Sequence, residues 1–334
     1  MAGPVGAGAE FISLSPDEYT IGWITALPLE LAAATAMLDL IHENRPVRSN
    51  DTNTYTLGNI GTHNIVISCL PSDHYGTNNA AIVASNMRRS FPRIETWLMI
   101  GIGGGVPRMP KADIRLGDVV VSTQVFQYDF GKTLADGQSH ALSLPQRPSQ
   151  ALMTTVSQLR ARHELDASRM TELLLGVLDQ YPKMAPEYRR PPAPDWLFKT
   201  DYNHADASLD CGSCDQAMII PREKRSEQPR IHYGTIASGN QVIKDSITRD
   251  KLAEKHDVLC FEMEAAGFMD ILRCLVVRGI CDYADSHKNK AWQKYAAVVA
   301  AAYAKELVLT MPENEGAGSQ SKSCFRSARR STRS

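Results

Sequence analysis

The chain has no apolar run long enough for a membrane span. The longest, Tyr295 to Ala304, falls far short of the roughly 20 residues a helix needs to cross a bilayer. The opening MAGPVGAGAEF lacks a basic region ahead of an apolar core, so nothing there reads as a signal peptide. Cysteine is sparse and odd in number, seven in 334 residues, and Cys69, Cys260, Cys274 and Cys281 fall within apolar runs. Thiols so placed read as buried and reduced, which points to a cytoplasmic or nuclear setting. No internal repeat is visible. Net charge is nearly lacking too, at −1, but it is unevenly spread. From Gly316 onward there are five basic residues (Lys322, Arg326, Arg329, Arg330, Arg333) and no acidic ones, which leaves the body at −6. An acidic body argues against a nucleic-acid-binding domain, and a basic tail alone binds anions only weakly.

What is present is an ordinary globular composition, 43% hydrophobic and 22% charged. That excludes disorder as the main state and allows a sizeable core. YTIGWITA (19–26) reads as a buried strand, and LELAAATAMLD (29–39) as a helix after the break at Pro28. TYTLGNI and HNIVISCL, separated by Gly61 and Thr62, predict a hairpin. Further strands are read at 96–104, 118–125, 232–238 and 274–281 and in CFEME, with helices over 76–91, 149–181 (two), 246–256 and 292–311. The alternation predicts an α/β domain around a mixed sheet. Residues 182–230 hold seven of the 18 prolines with little periodicity and read as an insertion. The expected organisation is a flexible lead-in (1–18), one domain (19–311) interrupted by that insertion, and a disordered basic tail (312–334).

Four places hold polar or Gly-rich groups at strand ends, where open α/β sheets place their sites. Glu30 follows the first strand and also suits a helix start. GIGGGVP (101–107) lets backbone N–H groups approach an anion or a sugar hydroxyl. It is not a dinucleotide fingerprint, because Pro107 and Pro110 intervene where a helix should begin. In CFEMEAAGF, Glu262 and Glu264 would share one strand face, which is costly unless they are paired or used. In VVRGICDYADS, apolar residues bracket Arg278 and Asp282, which also suit an ion pair.

Taken together and in order, ITALPLE, GIGGGVP, ASGNQVIKD, CFEMEAAG and VVRGICDYAD resemble the nucleoside phosphorylase / nucleosidase superfamily. The resemblance covers about residues 19–130 and 231–311 and is strongest to the purine and uridine phosphorylase-type modules of fungal immune-receptor-like proteins. It implies a three-layer fold with a central mixed β-sheet flanked by helices, no cofactor, a small-molecule nucleoside or nucleotide as partner, and a homo-oligomer. It implies a break of the N-glycosidic bond, in which the leaving purine takes up a proton. Asp282 matches the general acid and must carry its proton near neutral pH, which burial favours. Glu264 matches the acceptor of the ribose hydroxyls, with Met263 beneath the sugar. Phe261, Glu262, Arg278, Gly103 and Gly104 are carried over with it. Ser238, Gly239, Asn240 and Val242 match the segment lining the base.

Phosphorylases of this superfamily clamp phosphate with two arginines and a serine. At the matching places stand Glu30, Met99 and Ile102. Glutamate at the first position is what the methylthioadenosine/S-adenosylhomocysteine nucleosidases use to activate water, and its charge repels a phosphate dianion. The resemblance therefore implies hydrolysis. Phosphorolysis survives only if the insertion supplies phosphate ligands, for example among Arg189, Arg190, Arg222, Lys224 and Arg225, and a sensing module without turnover is the third reading. Beyond Asp282, the basic His287, Lys288 and Lys290, with Trp292, suit a 5′-phosphate or polyphosphate such as that of ATP, although a 5′-truncated nucleoside stays open. Finally, His204, Cys211 and Cys214 form H-x6-C-x2-C, a weak metal candidate because a structural zinc site takes four ligands. Two reduced cysteines in a loop is its plainer reading.

Overall fold

A computed structural model of the protein describes residues 12–44, 48–133, 139–204 and 211–313. Residues 1–11 of the expected lead-in and 314–334 of the expected tail lie outside the described residues, whereas Pro16–Glu18 of the lead-in form a 3-10 turn. In chain order the elements are β1 (Ile21–Thr25), α1 (Pro28–Ala36), β2 (Leu40–Ile41), β3 (Tyr55–Ile60), β4 (His63–Cys69), α2 (Thr77–Ser90), β5 (Thr96–Gly105) and β6 (Val119–Gln127). There follow β7 (Gly131–Thr133), β8 (Ser139–Ala141), α3 (Gln150–Leu165), α4 (Met170–Gln180), α5 (Ala185–Tyr188), β9 (Ile231–Ser238), α6 (Ser246–His256) and β10 (Val258–Glu262). The last three are α7 (Ala266–Leu272), β11 (Leu275–Asp282) and α8 (Gln293–Val308).

Nine strands form one mixed sheet in the order β10-β9-β6-β11-β5-β1-β4-β3-β2, with helices packed around it. Strands β4, β1, β5 and β11 run parallel, so their carboxyl ends meet along one edge. Every residue of β1 and of β11 is buried, as expected for parallel strands covered on both faces. The hairpin predicted at Gly61–Thr62 pairs Ile60 with His63, and Gly61 takes the left-handed φ of 56° that its turn requires. Two features were not foreseen. The end of β5 turns to pair antiparallel with β10, Gly104 opposite Phe261, which closes β5, β11, β6, β9 and β10 into a ring. And β11 is bulged between Ile280 and Asp282 against β5.

The Ala-rich helix α8 lies directly on β11. A Cβ at Gly279 would collide with the backbone of Ala296, so only glycine allows this helix–sheet approach. Between α4 and β9 the described residues form α5 and two single 3-10 turns, and this stretch is fastened by charge. Arg222 donates to the Tyr283 hydroxyl at 2.9 Å and pairs with Asp195 at 3.0 Å, while Arg225 pairs with the buried Asp118.

Candidate active site

The carboxyl ends of β1, β5 and β11 and the end of β10 open on a cavity of about 730 Å³, the place where α/β sheets bind ligands. Each contributes a side chain for a local reason. Pro28 begins α1 at a position where its missing N–H costs nothing. Glu30, two residues on, reaches back to cap the helix. Its Oε2 accepts from Ala26 N at 2.8 Å and Leu27 N at 2.9 Å, and its Oε1 accepts from Ile102 N at 2.8 Å. Three of about four acceptor directions are thus filled, and one on Oε1 stays free among the described residues. Burial pushes the Glu30 carboxyl up, against Arg278 and these three N–H groups. A Cβ at Gly101 would run into both Glu30 and Arg278, so this glycine is what lets the two approach.

Beneath the cavity floor Arg278 is fully buried. Its Nη2 is ion-paired with Glu262 and lies 3.4 Å from Glu264 Oε2 and 3.2 Å from Met99 Sδ. Its Nε and Nη1 have no hydrogen-bond partner among the described residues. Burial opposes its charge, but Glu262, Glu264 and Glu30 hold it charged more firmly than usual. One guanidinium therefore serves three buried carboxylates. Burial is also the main reason that the Glu264 carboxyl titrates well above the usual range. Arg278 opposes that rise, and the neighbouring Glu262 and Glu30 reinforce it. Glu262 also takes the N–H groups of Glu264 and Ala265 at 3.2 Å and 3.1 Å, which fixes the turn into α7.

At the other end Asp282 accepts from Ala284 N at 2.9 Å, and its Oδ2 lies 3.0 Å from Lys288 Nζ. Nearby attractive charge more than compensates the burial of Lys288, so its ammonium is held above the usual lysine range. Lys290 and Lys294 stand on the same wall, the latter ion-paired with Glu187.

Of the residues singled out from the sequence, Glu30, Gly103, Gly104, Phe261, Glu262, Met263, Glu264, Asp282, Val242, Lys288 and Lys290 line this one cavity. Others do not. Arg278 is the support behind the floor, and it does not meet Asp282, because the β11 bulge breaks the alternation between them. Ser238 is buried and accepts from Ala266 N. Gly239 packs on Tyr128, and Asn240 ties Asp129 to Thr77 at the start of α2. Trp292 is a core residue against Tyr295, with the guanidinium of Arg190 over its ring. None of Arg189, Arg190, Arg222, Lys224 and Arg225 reaches the cavity, so the insertion brings no arginine to it. Instead it brings Tyr188, whose hydroxyl donates to Leu29 O at 3.2 Å. Tyr188 and Tyr75 line the wall without having been foreseen, each a lone aromatic in a stretch lacking periodicity. Lys294, four residues past Lys290, had a signal that was there to be used.

The family model described as the phosphorylase superfamily matches residues 20–176, the stretch that carries β1, Glu30 and the β5 glycines. That stretch belongs to the phosphorylase superfamily. Among curated relatives, a nucleotide-binding leucine-rich repeat (NLR)-like protein of Hyaloscypha variabilis is 44% identical over 89% of this chain and 30% of its own length. An Escherichia coli protein named ATP nucleosidase Cap17 is 25% identical over 83% of this chain and 48% of its own. The chain thus spans less than half the length of either. Among solved structures, futalosine hydrolase of Helicobacter pylori superposes with a TM-score of 0.57 at 17% identity, covering 87% of this chain and 97% of that one. At 87% of this chain, that likeness of fold reaches past residue 176. No helix of the described residues is long and apolar enough to cross a membrane.

Proposed function

We propose that the cavity binds a purine nucleoside or nucleotide and hydrolyses its N-glycosidic bond. The observation that carries this reading is that Glu30, Glu264 and Asp282 all line the cavity, while the one guanidinium close to two of them, that of Arg278, lies behind its floor. Glu264 receives the ribose hydroxyls, its two oxygens suited to a vicinal diol. A water on the free direction of Glu30 Oε1 gives up a proton to that carboxylate as its oxygen bonds to C1′. A carboxyl raised by burial is a better base near neutral pH than an ordinary one. The C1′–N9 bond breaks, its electron pair enters the purine, and Asp282 protonates the base at N7. Among the described residues no arginine lines the cavity, and Arg278 behind its floor is buried and ion-paired with carboxylates, which supports water over phosphate as nucleophile. A phosphate dianion beside Glu30 would meet a carboxylate of like charge.

The lysines support a 5′-phosphorylated substrate. Lys288, Lys290 and Lys294 share the wall beyond Asp282, and a relative bears the name ATP nucleosidase. Asp282 cannot donate a proton while it accepts from Lys288. The phosphates of a nucleotide compete for that ammonium ion, which frees the Asp282 carboxylate to take up a proton from solvent and then pass it to the base. The test is chromatography of ATP, adenosine and methylthioadenosine after incubation with the protein, with and without inorganic phosphate. Adenine released equally in both conditions, fastest from ATP, is the expected result. Adenine formed only with phosphate overturns hydrolysis, and equal rates from all three substrates overturn the role given to the lysines. Binding without release of base from any of them would instead support the sensing module.

A further inference from the structure

The sequence offered three metal-ligating residues where a structural site takes four, and the fold brings up the fourth. His204, Cys211 and Cys214 come together with their ligand atoms all within 4.8 Å of one another. Against them stands His287, from the loop between β11 and α8. Its ring centroid is 5.3 Å from that of His204, and Cys211 Sγ lies 3.6 Å from its carbonyl oxygen. Phe198 stacks on the His287 ring at 4.0 Å, and Tyr202 lies parallel at 5.5 Å.

The second observation is what these imidazoles lack. His287 is buried with neither ring nitrogen hydrogen-bonded, and Nδ1 of His204 is buried without a partner, among the described residues. Leaving such a group buried and unsatisfied is costly, and here three ring nitrogens are left so in one place, beside two thiols. A metal ion supplies what they lack. We propose that His204, Cys211, Cys214 and His287 form a structural zinc site that clamps the 182–230 segment to the loop carrying Lys288. Two thiolates neutralise the dication, and two imidazoles complete the tetrahedron. Bond lengths of about 2.3 Å to sulfur and about 2.0 Å to nitrogen require the ligand atoms of His204, Cys211 and Cys214 to draw in from their present spacing and the His287 ring to move in towards them. Asp285 Oδ1, 3.8 Å from His287 Nδ1, is placed as the outer carboxylate that orients a metal-bound histidine. The clamp already has a first stitch, because His204 N donates to Ser286 Oγ at 2.9 Å. The proposal is independent of the glycosidase reading, since none of His204, Cys211, Cys214 and His287 lines the cavity.

The test uses the full chain, without a histidine tag, grown with added zinc. Elemental analysis is expected to give about one zinc per chain, falling below about a tenth in Cys211→Ser and in Cys214→Ser. Cobalt(II) alone, added to chelator-stripped protein, should give tetrahedral visible bands with a thiolate charge-transfer band, both lost in His204→Gln and in His287→Gln. Because the variants can fail to fold, alkylation of the wild type by iodoacetamide is followed by mass spectrometry. Metal loading should slow modification of Cys211 and Cys214 at least about tenfold while leaving Cys69 unchanged. A metal-free protein, zinc that survives both serine variants, equal alkylation with and without metal, or an unchanged cobalt spectrum in His287→Gln each overturns the assignment.

Discussion

The two ends of the cavity solve the problem of buried charge in opposite ways. At the ribose end a single guanidinium with 1% side-chain exposure is surrounded by three carboxylates, Glu262 on a strand, Glu30 in the first turn of a helix and Glu264 in the short bend that joins β10 to α7. At the base end Asp282 meets an ammonium on a loop, and the Lys288 side chain is 30% exposed. The first arrangement cannot rearrange without opening the core, whereas the second can exchange its partner for a substrate. The difference teaches that charge held for geometry and charge held for chemistry are distinguished by what carries the counter-ion.

The largest expected effect comes from removing the acid. Asp282→Asn keeps the shape and should lower kcat for base release by about 10²–10⁴-fold, with thermal unfolding little changed. A fall in stability as large as the fall in rate would erase the distinction between the two ends. Next comes Arg278→Met, which strands three carboxylates without a cation. Breaking a buried pair in this way costs about 3–5 kcal/mol, to be read by denaturant unfolding. A variant as stable as the parent would mean that the carboxylates are held neutral without it. Lys288→Met sharpens the comparison further. It should raise KM for ATP by about tenfold, the equivalent of roughly 1.4 kcal/mol, and leave KM for adenosine nearly unchanged, as steady-state kinetics on both substrates would show.

The smallest effect is one of pH. Burial raises the folded-state carboxyls of Glu264 and Glu30 above their ordinary value of 4.5. The native state therefore binds more protons than the unfolded chain as pH rises from that value towards the raised ones. Through that interval these groups make stability fall. Glu264→Gln should flatten this decline, and unfolding curves at a series of pH values would check it. A steeper decline in the variant would contradict the assigned direction.

Much of this site was legible because its motifs end strands whose apolar runs are plain. Glu30, Glu264 and Asp282 each follow such a run, and all three line the cavity. Arg278 and Ser238 belong to the same set of motifs, and Trp292 to the stretch just beyond, yet they sit one layer behind. A linear motif does not say which members face the ligand, and the bulge in β11 reverses the alternation that would have said so. The ion pair of Lys288 with Asp282 was hidden because it spans a loop of irregular backbone. Tyr188 was hidden because its nearness to Leu29 depends on a long-range contact with no local signature. His287 read as one more basic residue beside two lysines, and only the packing of Phe198, Tyr202, His204 and Cys211 against it gave it another meaning.

The pairing of Gly104 with Phe261 makes the ribose seat part of a closed loop of strands. A ring has no edge from which to fray, so its amide hydrogens should exchange with solvent only when the whole molecule unfolds. The seat then has no private motion. Whatever lets a product leave has to be the loops above it, and any change that loosens the seat is felt first as lost stability of the entire chain.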